Sequence, residues 1–88
     1  MSVIEEFVGH KLIEDSEDKL YYSIRGNFIN MKDIASIVPE YHNNKRSLYM
    51  KIINKLGGKN IVKMQNKNEY NYIIRTFNNK LNTDFEEI

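Results

Sequence analysis

The chain has 88 residues and a formal net charge of +1, from 13 Lys and Arg against 12 Asp and Glu. It contains no Cys, which excludes a disulfide framework, a thiolate zinc finger and a cysteine nucleophile. No apolar run approaches the roughly 18 residues of a membrane span, and the acidic start Met1-Ser2-Val3-Ile4-Glu5-Glu6 is unlike a signal peptide.

These features predict an intracellular protein, in the cytoplasm or in a host cell's cytoplasm or nucleus, that is not secreted. Ser2 stands where myristoylation needs Gly. The length suits a single domain, 1–88, with one small core. Ile, Asn and Lys number 12, 12 and 10, as an A/T-rich genome such as that of a phage, a large DNA virus or a low-GC bacterium would give.

In chain order, Phe7–Ile13 and Leu20–Ile24 read as strands of a β-hairpin around the polar loop Glu14–Lys19. Arg25-Gly26-Asn27 makes a second turn, and Phe28-Ile29 a short third strand. Asn30 then reads as an N-cap, with Asp33 in the first turn of a short helix. Met31, Ile34, Ala35 and Val38 would share one face of that helix, and Pro39 would end it. After a turn at Glu40–Asn43, Asn44 caps a second predicted helix. Its stripe is Leu48, Tyr49, Ile52, Ile53 and Leu56, and Gly57-Gly58 stops it. Its polar face would carry Ser47, Lys51, Asn54 and Lys55, flanked by Arg46 and Met50.

Asn60–Met64 reads as a strand, either the first arm of a wing or a strand rejoining the hairpin sheet, and Gln65–Asn68 as a polar turn. Tyr70, Ile73, Ile74, Phe77 and Leu81 fit a helix from about Glu69 to Asn82, although Tyr70, Tyr72 and Ile74 also alternate as a strand would. The expected fold is therefore α+β: an N-terminal β-hairpin or small antiparallel sheet, a helix-turn-helix and a C-terminal helix.

Charge is distributed unevenly. Residues 1–18 sum to −5, residues 19–80 to +9 and residues 81–88 to −3. From Asn43 to Asn68 there are seven bases and no acid, a one-signed stretch that attracts a polyanion. In the helix-turn-helix reading, Ser47, Lys51, Asn54 and Lys55 enter the major groove of duplex DNA. There Lys reaches guanine acceptors and Asn pairs with adenine. Lys45, Arg46, Lys59, Lys63 and Lys67 then neutralise phosphates.

The stretch from Tyr21 to Ala35, above all Phe28-Ile29-Asn30-Met31-Lys32-Asp33-Ile34-Ala35, resembles the strand-to-helix junction of the viral KilA-N and BRO-N family of DNA-binding domains. The resemblance spans about residues 7–58. It implies a viral or phage DNA-binding module with no catalytic residue.

Other chemistry has little support in the sequence. His10 and His42 are far apart and lack Cys partners, so no metal site is expected. Glu14, Asp15, Glu17 and Asp18 lack the EF-hand spacing, and Gly57-Gly58-Lys59 lacks the first Gly of a P-loop. No nucleophile–base pair is evident, so neither an enzyme nor a cofactor is expected. A second reading makes the protein a viral or phage inhibitor or adaptor that meets a host factor through the acidic hairpin. A third has Phe77, Leu81, Phe85 and Ile88 on the last helix pair with a second copy as a homodimer.

Overall fold

A computed structural model describes residues 2–4, 7–16 and 19–88. The chain divides into two compact units, Met1–Asp33 and Ile34–Ile88.

The first unit is an antiparallel sheet in the order β1 (Ser2–Ile4), β2 (His10–Ser16), β3 (Lys19–Ile24) and β4 (Asn27–Asn30). The expected hairpin is present but shifted: residues 7–9 lie before the strand, and β2 runs on through Glu14, Asp15 and Ser16 of the expected loop, pairing His10 with Ile24, Leu12 with Tyr22 and Glu14 with Leu20. Glu17 and Asp18, in its acidic loop, lie outside the described residues. β3 and β4 are joined by Arg25 and Gly26, both at positive φ (46° and 86°), as the tight two-residue turn of a twisted hairpin requires. His10, Leu20, Tyr22, Ile24 and Ile29 are buried along one face, where His10 Nδ1 and the Tyr22 hydroxyl share a 2.8 Å hydrogen bond. The bond satisfies both polar groups inside an apolar layer.

The second unit is a three-stranded antiparallel meander, β5 (Ile34–His42), β6 (Ser47–Asn54) and β7 (Lys59–Met64), followed by helix α1 (Lys67–Leu81). α1 opens with reciprocal capping. The Asn66 side chain accepts from the Glu69 N–H (2.9 Å), and the buried Glu69 carboxylate accepts from the Gln65 N–H (2.7 Å). Tyr70, Ile73, Ile74 and Phe77 form its buried stripe, and Asn82, left-handed at φ 56°, ends it. Phe85 and Ile88 therefore do not continue the helix, and the stripe expected to pair with a second copy is broken: Phe77 is buried, and the other two follow the cap.

The helix-turn-helix is absent. α1 is the one α-helix among the described residues. The segment expected to form the first helix is a single 3-10 turn, Met31–Asp33, followed by β5. Asn30 does cap that turn, accepting from the Lys32 N–H and donating to Asp33, but the turn goes no further. A register shift between Ile34 and Ser36 puts Ile34 and Ile37 on the same buried side three positions apart, a spacing that imitates a helix. Pro39 fits because β5 is an edge strand.

The segment expected to be the second helix is the central strand β6. Met50 and Ile52 are buried on its inner face, while Tyr49, Lys51 and Ile53 alternate onto the other. Gly57-Gly58 ends no helix but belongs to the β6–β7 turn. There the Asn54 side chain accepts from the N–H groups of Leu56 (3.0 Å) and Gly58 (2.9 Å). A Cβ on Gly58 would lie 2.6 Å from the Asn54 amide nitrogen, so the turn and its glycine are matched.

Asn54→Ala removes both side-chain bonds and is expected to lower stability by about 1–2 kcal/mol. Urea denaturation with an unchanged m-value checks this.

Candidate nucleic-acid interface

The pairing of His42 with Ser47 leaves Asn43, Asn44, Lys45 and Arg46 as an exposed turn between β5 and β6. Three consecutive residues are left-handed: Asn43 (φ 55°), Asn44 (φ 56°) and Lys45 (φ 68°). Asn tolerates this conformation because its short amide bonds locally. Lys has no such compensation and is held there at a cost of about 1 kcal/mol. The turn closes with the Arg46 N–H donating to the Asn43 carbonyl at 3.1 Å.

Beside this turn lies a cleft of about 410 Å³, bordered by the end of β7 and the start of α1. Lys45 and Arg46 enter its lining from the turn, Lys63 from β7 and Lys67 from α1, and no lining residue is acidic. Ser47 and Asn66 add polar groups. Cations separated by up to 22 positions in sequence thus meet at one end of the sheet, where their potentials add.

The outward face of the meander extends the charge. Lys51 pairs across strands with Val38 and Ile61, and Lys63 pairs with Tyr49, which pairs with Glu40 on its other side. Lys59 occupies the same face opposite Ile53. Val38 and Ile61 are 41% and 50% exposed, so this side of the sheet is open at its edges. His42 packs its ring 4.5 Å from that of Tyr49, and its Nε2 lies 3.2 Å from the Glu40 carboxylate.

The nine residues expected to touch DNA therefore fall into three groups. Lys45, Arg46, Ser47, Lys63 and Lys67 border the cleft, Lys51 and Lys59 lie along the open face, and Lys55 sits in the far turn with Asn54. Asn54 is committed to that turn. Asn43, expected in a turn, and Asn44, expected to cap a helix, instead stand exposed beside Lys45 and Arg46 in the β5–β6 turn. A signal for them existed: Asn-Asn between two runs rich in β-branched and aromatic residues marks a hairpin loop.

Of the four acidic residues of the hairpin, Glu14 and Asp15 are described. Glu14 pairs with Leu20 while Asp15 takes the alternate, exposed side of β2. No group of His, Cys, Asp or Glu among the described residues is arranged to hold a metal ion, and no helix among them is long and apolar enough to cross a membrane.

Tyr70, at the start of α1, is fully buried, and its hydroxyl has no hydrogen-bond partner among the described residues. Burial, with a smaller contribution from Tyr41 of the cleft lining, pushes its pKa up to about 12.

Family models, curated proteins and solved structures give no match to the chain.

Tyr70→Phe deletes a buried, unsatisfied polar group and is expected to raise stability by about 1 kcal/mol. Above pH 10 the unfolded tyrosine ionises while folded Tyr70 keeps its proton, so stability falls as pH rises toward 12. Denaturation across that range should show a steeper decline for the parent than for Tyr70→Phe. Lys45→Gly relieves the left-handed strain and is expected to raise the denaturation midpoint, by about 1 kcal/mol of stability less the added chain entropy.

Proposed function

We propose that this protein binds duplex DNA through the β5–β6 turn and the basic cleft beside it. The observation that carries the reading is the meeting of Lys45, Arg46, Lys63 and Lys67 around a cleft with no carboxylate in its lining. Such a surface matches a phosphate backbone in charge. A β-hairpin is narrow enough to enter a major groove about 12 Å wide. In that pose Asn43, Asn44 and Arg46 face base edges, with Asn suited to adenine and Arg to guanine. Lys63 and Lys67 flank the groove on the phosphates, and Lys51 and Lys59 add long-range attraction along the open face.

This geometry replaces a recognition helix with a strand turn, and it accounts for the Asn residues at the turn as well as the cations. The strain at Lys45 has a natural place in it, since backbone strain is retained where surrounding structure and function require it.

The test is fluorescence anisotropy on duplex and single-stranded probes over a salt series. Neutralising about four to six phosphates gives a slope of log K against log salt of roughly −3.5 to −5.5 on duplex. Arg46→Glu with Lys67→Glu, at exposed positions that leave the core intact, is expected to weaken duplex binding by roughly tenfold or more and to flatten that slope. Asn54→Ala, once shown to be folded, should bind as the parent does. A salt-independent signal, or equal affinity in the double variant, would overturn the reading.

A further inference from the structure

The segment after α1 turns back along the helix and is held by side chains that address its main chain. Asn78 donates from Nδ2 to the Phe85 carbonyl and accepts at Oδ1 from the Phe85 N–H, each at 2.8 Å. Asn71 repeats the arrangement with Ile88, donating to its carbonyl at 3.2 Å and accepting from its N–H at 2.8 Å. Between the two, Arg75 Nη1 lies 3.1 Å from the Glu87 carboxylate.

The spacings agree. Seven helical residues rise about 10.5 Å, and three residues of extended chain cover about 10 Å. The segment from Phe85 to Ile88 must therefore run close to full extension, antiparallel to α1. Asn71, Arg75 and Asn78 fall at i, i+4 and i+7, one stripe of the helix. Each Asn amide presents the donor and acceptor that a neighbouring β-strand would present, so recognition at those two points reads main-chain atoms rather than a side chain.

We propose that this stripe of α1 is a binding site for an extended acidic peptide of a partner protein, and that the chain's own residues 83–88 occupy it in cis. The required ligand has an extended backbone over four residues, whose first and fourth main-chain N–H and oxygen meet Asn78 and Asn71, and an acid at the third to meet Arg75, as in Phe85-Glu86-Glu87-Ile88. A tethered occupant has a high effective concentration, so a partner's peptide binds only in competition with it.

The test uses the full chain and a fluorescent peptide of sequence Asn-Thr-Asp-Phe-Glu-Glu-Ile. Phe85→Pro deletes the N–H that Asn78 accepts and weakens the cis segment. The labelled peptide is expected to bind the Phe85→Pro chain roughly tenfold or more tighter than the parent. Adding Asn71→Ala, or Asn78→Ala, to that chain should abolish the gain. Equal binding to parent and Phe85→Pro, or a gain that survives loss of either Asn side chain, overturns the proposal. Amide hydrogen exchange on the unaltered parent provides the second measurement. The Phe85 and Ile88 amides should exchange more slowly than that of Glu86, and exchange at one common rate overturns the proposal whatever the variants do.

Discussion

Strand β6 is hydrogen-bonded on both sides, to β5 and to β7, and its register decides which face each side chain of the meander occupies. With Met50 opposite Pro39 and Val62, the residues Ile37, Met50, Ile52, Val62 and Met64 are buried, while Lys51, Lys59 and Lys63 are carried to the other face. A slip of one residue would send Lys51 inward and Met50 to water. Burying an unpaired ammonium costs several kcal/mol, far more than any one surface contact returns. The core and the basic face are therefore one decision, and the turns at either end hold it. Asn54 fixes one with two bonds to backbone N–H groups, and the run of left-handed residues from Asn43 to Lys45 fixes the other.

That register was not legible in the sequence. β6 has apolar residues on both faces, Tyr49 and Ile53 outward and Met50 and Ile52 inward, so the period of two is blurred and a helical stripe can be drawn through Leu48, Tyr49, Ile52 and Ile53. In β5 the bulge supplies a false helical spacing between Ile34 and Ile37. Real local signals reinforced the error: Asn30 and Asp33 do cap, but over one 3-10 turn. What could be read were segments whose local chemistry and burial agree. The β2–β3 hairpin has two strand-forming runs around a polar turn, and α1 has a stripe at i, i+3, i+4 and i+7, although its cap, Asn66, falls in the expected polar turn. The basic block was visible as charge, but its placement was not. Cations that a helix would have presented together are divided among a turn, an open sheet face and a helix start.

The cleft combines two unfavourable features that a stability-driven sequence would avoid. Four cations border it, and Lys45 occupies a left-handed conformation better suited to Gly or Asn. Each is tolerable because the turn is exposed and water screens the charges. In the proposed reading, an anion arriving at the cleft relieves the repulsion among these cations, which is what their coincidence in one place would serve.

The abundance of Asn, which composition alone explains by codon supply, takes on a different meaning once the residues are placed. An Asn side chain is a primary amide, the nearest side-chain equivalent of the peptide group, able to donate and accept in one plane. Asn54 uses it to organise a turn and Asn66 to cap a helix, Asn43, Asn44 and Asn82 use their tolerance of the left-handed region, and Asn71 and Asn78 turn the amide toward the main chain of the segment that follows α1. At Asn54, Asn66, Asn71 and Asn78 the amide takes the place of a backbone partner that the local structure lacks. The same property suits exposed Asn43 and Asn44 to the edge of a base, where donor and acceptor again lie side by side. A small protein with limited apolar core has in these amides a second, directional means of ordering its backbone. Where the partner of such an amide is not built into the fold, the group remains available to a ligand.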